Sequence, residues 1–402
     1  MTFKYIFMEF VMLSPEQQAI IKSTVPLLEA GGEQLTQHFY NTMLSEYTDV
    51  RVLFNQAAQD SGRQPRALAN SLLLYAKNID SPENLQDLVD LVTHKHASLQ
   101  ILPEQYIIVG TCLLRAIKEV LGDEIATADV MDAWKNAYFA LADLLTQKEE
   151  TLYHDTEMAE GGWRGERLFY VADKVKESDV ITSFYLKPID GKPIVRHKAG
   201  QYLGFRFIFL EGEQRRNYSI SDKANGEYYR ISVKREPEGV VSNYLHDEVK
   251  EGDRFRVYPP FGVFTLQEPI RPIALISAGV GITPMVPLLE EALTTEQPVY
   301  FIHAAQNHGV DPFYNWLHAK ADEHPNLTIF KCYEDNEENK AHHEGLLNKE
   351  LLAKLLPSTD MDVYYLGPTP FMAMVNRALS ELNFPESQCH YEFFGPAEAL
   401  ES

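Results

Sequence analysis

Arg215-Arg216-Asn217-Tyr218-Ser219-Ile220-Ser221 is the stretch from which the fold of this chain is worked outward. Read as a strand, it puts Arg216, Tyr218 and Ile220 on one face and Asn217 and Ser219 on the other. A cation, an aromatic ring and a small hydroxyl on one strand suit an aromatic cofactor that carries phosphate. The ring stacks, the guanidinium forks onto phosphate oxygens, and the hydroxyl reaches a ring nitrogen. An ordinary half-buried strand with exposed arginines has the same composition, so the rest of the chain decides between the two readings.

The 402 residues predict two to four domains at ~100–200 residues each. Hydrophobic residues make up 45% and charged residues 23%, the balance of a globular protein able to bury sizeable cores. A net charge of -22 excludes the basic surface that nucleic acid demands. Cys112, Cys332 and Cys389 are far apart and odd in number. This predicts a reducing, cytoplasmic setting with no disulfide framework. No apolar run reaches the ~18 residues of a membrane span. The opening MTFKYIFMEFV lacks the n-region and cleavage site of a signal peptide. It reads as an extension before a natural start at Met12, because Ser14 caps and Pro15 opens a helix.

From Ser14 to about Met158 the apolar spacing is three and four residues. Breaks at Gly31-Gly32, Ser81-Pro82, Leu102-Pro103 and Gly122-Asp123 divide this third into six to eight helices. In the helix predicted from about Pro82 to Leu99, Leu85, Leu88, Val92, His96 and Leu99 share one apolar face. His94 lies about 200° round from His96 and faces elsewhere. A lone histidine on such a face is either a core histidine with satisfied nitrogens or a metal ligand. Tyr106 and Glu149 lie in largely apolar helices, and Tyr40 sits beside the stripe Leu35, Phe39, Met43. Buried polar groups of this kind need partners.

From Gly165 the texture changes. Arg167–Val175, Val180–Pro188, Tyr202–Leu210, Tyr228–Val233 and Arg254–Tyr258 are short, aromatic and β-branched, between Gly, Asp and Pro turns. They predict an antiparallel barrel. Ser242-Asn243 precedes the apolar Tyr244-Leu245. It reads either as a plain cap or as a helix start whose N–H groups meet phosphate. In the last third, strands at Pro272–Ala278, Val299–His303, Leu327–Cys332 and Val363–Leu366 alternate with helical segments. This predicts a parallel, doubly wound α/β sheet. After the first strand comes the turn Gly279-Val280-Gly281-Ile282-Thr283-Pro284, with Thr283 expected as helix cap and Pro284 as helix opener.

Taken together, several segments resemble the ferredoxin-reductase-like oxidoreductases. They are Arg216-Asn217-Tyr218-Ser219, Gly200-Gln201-Tyr202, Val233-Lys234-Arg235-Glu236, Val241-Ser242-Asn243, the glycine turn, Gly367-Pro368 and Tyr391-Glu392-Phe393-Phe394-Gly395-Pro396. His38-Phe39-Tyr40, Phe54-Asn55, Gln64-x-Arg66-x-Leu68, Lys95-His96-x-Ser98 and Pro103-Glu104-Gln105-Tyr106 resemble the globin domain of the flavohaemoglobins. The resemblance covers essentially everything from Met12 on.

It implies an all-α globin over 12–158, an antiparallel FAD barrel over 164–268 and an α/β nucleotide domain over 269–402. The implied cofactors are haem b, FAD and NADH or NADPH. It implies that His96 is the proximal iron ligand, with Tyr106 and Glu149 hydrogen-bonded around it. Tyr40 and Gln64 are implied to line the distal side, with Phe54 and Leu68 packing there, and Lys95 and Glu392 to lie in the electron-transfer region. Tyr202, Arg216, Asn217, Tyr218, Ser219, Val241, Ser242, Asn243 and Phe394 are implied FAD contacts. Gly279 through Pro284, Gly367 and Pro368 are implied NAD(P) contacts. Two positions depart from the pattern: Leu366 and Phe393 stand where relatives often carry Cys.

The implied activity is nitric oxide dioxygenation: NAD(P)H reduces FAD, FAD reduces haem, and dioxygen oxidises nitric oxide to nitrate. The alternatives are an oxygen-binding or oxygen-sensing protein with a maintenance reductase, and an electron-transfer reductase for an external acceptor. Partners are small molecules, and a monomer is expected. NADH is expected over NADPH, because no Arg or Lys occurs from His303 through Ala319 to meet a 2′-phosphate, although His303, His308 and His318 could partly substitute.

Overall fold

The computed structural model describes residues 13–54, 62–210, 212–268 and 270–395. The reading of residues 1–11 and of a start at Met12 lies outside them, as do Asn55 and Pro396. The chain divides into two compact units, Met1–Asp155 and Thr156–Ser402.

The first unit is all-helical: α1 Pro15–Ser23, α2 Val25–Glu46, α3 Thr48–Arg51, α4 Arg63–Lys77, α5 Gln86–Leu99, α6 Pro103–Leu121 and α7 from Ala128, running on to Met158. Ser14 begins α1 as its sequence predicts: Ser14 and Gln17 each bond the other's backbone N–H, closing a capping box. Gly31-Gly32 does not break the chain as expected. Both glycines lie inside α2, and a Cβ on Gly32 would come 3.6 Å from the Ala69 Cβ of α4. The small residue serves close helix crossing rather than a turn. Similarly, Gly110 leaves room for the Tyr138 ring, which a Cβ would meet at 2.4 Å. Residues 82–85 form a 3-10 turn ahead of α5, not a continuous helix. Among the described residues no single helix is long and apolar enough to cross a membrane; 82–99 and 103–121 reach that measure only jointly, across a 118° bend.

The second unit opens with six antiparallel strands: β1 Arg167–Lys176, β2 Ile181–Pro188, β3 Tyr202–Phe209, β4 Gly212–Ser219, β5 Tyr229–Lys234 and β6 Arg254–Phe261. Their order is β4-β3-β6-β1-β2-β5, and an antiparallel bridge between Ile220 and Ile231 joins the two edges into a barrel. Alternate side chains point inward, so Phe169 and Val171, Leu203 and Phe205, and Tyr229 and Ile231 fill the interior. Helix α8, Val240–Asp247, lies after β5. Lys174 Nζ donates to the carbonyls of Leu245, His246 and Val249 at its C-terminal end, where cations are favoured.

The remaining strands are β7 Ile273–Ala278, β8 Val299–Ala305, β9 Leu327–Tyr333, β10 His343–Glu344, β11 Asp362–Leu366 and β12 Cys389–Tyr391. They pair in parallel in the order β10-β9-β8-β7-β11-β12. Helices α9 Ile282–Ala292 and α10 Tyr314–Glu323 pack on the Ile273/Leu275 face, while α11 Lys349–Leu355 and α12 Thr369–Glu381 pack on the Ala274/Ile276 face. Every residue of β7 is buried, as a parallel strand covered on both faces must be.

Candidate functional site

The deepest face of α5 carries Val89, Thr93, Ala97 and Ser98. Leu88, Val92 and His96 stand together on a neighbouring face, partly rather than deeply buried, with Leu88 and Val92 packed on the cluster of Leu85 and Tyr106. The His96 side chain is 32% exposed, and that of Glu149 beside it is 3% exposed. His96 Nδ1–H donates to Glu149 Oε1 at 2.9 Å and to the Tyr106 oxygen at 2.8 Å. The Tyr106 hydroxyl donates in turn to Glu149. Burial and the adjacent Glu149 push the Tyr106 phenol well up, so it remains a neutral donor. Tyr138 fixes the α6 backbone here, its hydroxyl donating to Tyr106 O at 2.7 Å. With Nδ1 committed, Nε2 is the nitrogen left to bind a metal. Among the described residues no group of three His, Cys, Asp or Glu is placed to hold a bare ion. One braced imidazole is the donor set that a metal already held by a macrocycle requires.

Tyr40 is buried on α2, and its phenol is hydrogen-bonded by Gln64 of α4. Burial raises its pKa and the Gln64 bond opposes the shift. Phe54 meets Tyr40 edge-on at 5.5 Å, and Leu68 packs on the same cluster. The structure therefore brings Tyr40 together with both Gln64 and Phe54. Lys95 lies beside His96 on α5, partly exposed.

On β4 the two adjacent arginines have different work. Arg215 bonds Glu213 at 2.8 Å and lies over the Tyr258 ring at 5.6 Å. Arg216 bonds only the neutral oxygens of Arg215 O and Gln214, at 2.7 and 2.6 Å. It has no carboxylate partner among the described residues, and burial lowers its pKa. A half-buried cation with neutral acceptors alone fits a phosphate-bearing ligand. Tyr218 packs edge-on against Phe205 at 5.6 Å, and Ser219 pairs with Tyr202 of β3. Asn217 is exposed on the other face.

Helix α8 starts two residues earlier than expected. Val240 and Val241 precede Ser242 within its first turn, and Gly239 is the cap position. Ser242 Oγ donates to Gly239 O and accepts from Glu236 N, and Asn243 bonds Glu236 O at 3.0 Å. Both side chains thus shape the loop, and first-turn N–H groups of α8 are the donors suited to an anion. Val241 is 2% exposed and belongs to the barrel core.

The glycine turn also differs in detail. Gly279–Gly281 is a 3-10 turn that runs straight into α9 at Ile282, so Gly281 is the cap position. Thr283 does not cap; its hydroxyl donates back to Val280 O at 3.0 Å, and Pro284 is the third helical residue. Ile282, Thr283 and Pro284 are buried, whereas Gly279, Val280, Gly367 and Pro368 are not. A Cβ on Gly281 would meet Leu366 O at 2.2 Å, and one on Gly367 would meet the Phe371 ring at 2.7 Å. Glycine alone lets the turn seat against the end of β11, at the carboxyl ends of the strands where open α/β sheets bind ligands. Beyond β12, Glu392 is buried and the Phe394 ring is half exposed. His303 is fully buried with Nδ1 on Ser277 Oγ, 2.8 Å away, so it cannot serve a 2′-phosphate as the sequence allowed.

Three domain families match in the order of these elements: the globin family over residues 37–145, the oxidoreductase FAD-binding domain over 169–266 and the oxidoreductase NAD-binding domain over 275–377. The class is a globin joined in one chain to a two-part oxidoreductase module. A flavohemoprotein of Pseudomonas aeruginosa is 55% identical over 97% of this chain and 100% of its own. One from Halalkalibacterium halodurans is 43% identical over 98% and 100%. The chain belongs to the flavohemoprotein family. The crystal structure of Malassezia yamatoensis flavohemoglobin, with bound FAD and heme, superimposes with a TM-score of 0.85 at 26% identity, covering 95% of this chain and all of that one. The FAD/NAD-binding domain of a Vibrio cholerae nitric oxide dioxygenase matches 58% of this chain and all of its own, at TM-score 0.54 and 35% identity.

Proposed function

We propose that this chain is a nitric oxide dioxygenase with haem, FAD and NAD(P)H as cofactors. Its balanced reaction takes two nitric oxide, two dioxygen and one NAD(P)H to two nitrate, NAD(P)+ and a proton. When bound, the nicotinamide supplies a hydride, FAD converts it to single electrons, and haem iron uses those electrons for oxygen chemistry. The three-part division at 12–158, 164–268 and 269–402 belongs to this reading.

The observation that carries it is His96 with Nδ1 tied to the buried Glu149–Tyr106 pair. Glu149 fixes the imidazole tautomer and strengthens Nε2 as the nitrogen that would hold haem iron. Tyr40, with Gln64 on its phenol, supplies the one hydroxyl in an otherwise apolar group of Phe54 and Leu68. That hydroxyl is suited to donate toward negative charge developing on a small ligand. Arg216 and the first turn of α8 would neutralise the FAD pyrophosphate, Tyr218 would cover the ring and Ser219 would approach its nitrogen. Gly279, Val280, Gly367 and Pro368 would cradle NAD(P)H. Lys95 and Glu392 would belong to the electron-transfer region.

The three cysteines, far apart and odd in number, are the basis for expecting a reducing, cytoplasmic setting; a monomer is expected. Nitrate formed per NADH consumed, in the presence of nitric oxide and oxygen, tests the proposal. A ratio near two to one supports it. NADH oxidation without nitrate favours an electron-transfer reductase instead.

A further inference from the structure

A buried polar row crosses the parallel sheet beneath the glycine turn. Ser277 of β7, His303 of β8 and Lys331 of β9 occupy one register, and each is 0% exposed. Three apolar side chains would fill this row at no desolvation cost, so its polarity calls for a reason. The partner comes from outside the sheet. Asp311, 3% exposed, reaches in from the segment Asn307–Phe313 that follows β8. Its Oδ1 and Oδ2 accept from Lys331 Nζ at 2.9 and 2.8 Å, and Oδ2 also accepts from the Tyr333 hydroxyl at 2.5 Å. His303 Nε2 stands 3.4 Å from Oδ1. Burial opposes the Asp311 charge, but His303 and Lys331 outweigh it and hold its pKa low.

The same segment holds the barrel at two further points. Gly309 O accepts from Asp179 N, in the turn between β1 and β2, at 2.8 Å. The Phe313 ring lies 5.1 Å under the Arg230 guanidinium. Arg230 is itself buried and bonded to Ser221 O, two residues beyond the flavin-strand hydroxyl Ser219. Phe313 adopts φ 60°, ψ 18°, the left-handed region that bulky residues avoid. Such a conformation persists where surrounding contacts over-determine it. Here Asp311 two residues before it and Arg230 above it provide those contacts. The chain of contacts thus runs from beside Ser219 to Ser277, two residues before Gly279.

We propose that Asp311 is a positioning residue for hydride transfer, locking Asn307–Phe313 between the flavin barrel and the nucleotide sheet so that the flavin strand and the glycine turn keep one separation. The proposal rests on the reading of this unit as a nucleotide-to-flavin reductase. The dihydronicotinamide gives up a hydride with its C–H bonding pair and becomes the oxidised nicotinamide, while the flavin accepts the hydride and is reduced, a step whose rate depends steeply on the distance between the two rings. A displacement of about 1 Å slows such a step by up to ~100-fold. Clamping, rather than binding, therefore predicts a loss in the limiting rate without a loss in nucleotide affinity.

The test compares the cofactor-loaded full chain with Asp311→Asn and Phe313→Leu. One measurement is amide hydrogen exchange over residues 177–181 and 307–313, with α12 as internal reference. The other is anaerobic flavin bleaching by NADH in single turnovers, resolved into a limiting rate and an apparent Kd. Expected are faster exchange in both segments, an unchanged α12, a limiting rate lower by ~10- to 100-fold and a Kd within about twofold of the parent. Phe313→Leu keeps an apolar side chain in place while removing the ring from Arg230, so it carries the test even if Asp311→Asn fails to fold. Faster exchange with an unchanged limiting rate overturns the proposal, as does a raised Kd with the rate intact. Unchanged exchange in both variants overturns it too. Failure of the parent protein itself to bleach with NADH overturns the reductase reading instead.

Discussion

The Glu149 carboxylate lies 2.9 Å from His96 Nδ1 although 53 residues separate the two in sequence. Glu149→Gln replaces a charged acceptor by a neutral one of the same shape, which weakens a charge-assisted hydrogen bond. We expect haem to be retained and the iron–imidazole stretching band to move to lower frequency in resonance Raman spectra of the ferrous protein. A band at the parent position would remove Glu149 from any influence on the iron.

His96→Ala is expected to abolish stable haem binding, and His94→Ala to leave it intact, because only His96 has Nδ1 on the Glu149–Tyr106 pair. FAD content should survive in both, since β4 and α8 belong to the other compact unit. Haem and flavin absorbance of the purified variants checks this. A complete haem spectrum with unchanged axial ligation in His96→Ala contradicts the assignment.

Tyr40→Phe keeps the buried ring and its edge contact with Phe54 but removes the hydroxyl. A hydrogen bond to a charged group is worth ~1.5–3 kcal/mol, or roughly ten- to hundredfold in ligand retention. Oxygen dissociation should accelerate by about that factor and dioxygenase turnover should drop. Reduction of flavin by NADH should not change. Stopped-flow measurement of oxygen release decides the matter, and an unaltered rate assigns Tyr40 to packing alone.

NADH should be preferred to NADPH. Glu334 and Asp335 are exposed after β9, and their N–H groups bond Ala305 O and Gln306 O at the end of β8. Two carboxylates at this rim disfavour a 2′-phosphate, and the buried His303 offers it nothing. We expect kcat/KM for NADH to exceed that for NADPH by about tenfold or more, at ~1.4 kcal/mol per decade. Equal values would refute the argument.

His197 is 7% exposed with Nε2 2.9 Å from Asp222 O, and burial lowers its pKa from the ordinary 6.5 to about 4. As pH falls, the unfolded chain takes up the proton first. The contribution is therefore intact above pH 6.5 and is lost as pH falls from 6.5 toward 4, up to ~3 kcal/mol at ~1.4 kcal/mol per unit. The thermal midpoint should fall over this window, and less steeply in His197→Gln. His303, lowered in the same direction by burial, accounts for part of the slope that remains. Equal slopes in parent and variant would exclude His197 as a source.

Sequence by itself determined the order of parts and most of their chemistry. Three-and-four spacing marks the helical third, alternation marks the barrel strands, and a strand–glycine turn–helix unit marks the parallel sheet. These are local periodicities, and each follows from backbone geometry over a few residues. His96, Tyr106 and Glu149 stood out as polar groups in largely apolar helices, and the resemblance to the flavohaemoglobins supplied the roles expected of them. Tertiary structure decided how those residues are used. The spacing of α5 placed His96 on an apolar stripe with Leu88 and Val92, but packing buries the neighbouring face of Val89, Thr93 and Ala97 more deeply. Gly31-Gly32 reads as a break until Ala69 is seen against it. Arg215 and Arg216 are chemically alike, and only the packed structure shows that Glu213 pairs with Arg215 while Arg216 has neutral acceptors. Lys331 drew no notice in the sequence, and its buried pairing with Asp311, 20 residues away, appears only in the packed structure. A side chain's partner depends on chain crossings that no local pattern encodes, so burial and pairing are properties of the packed molecule.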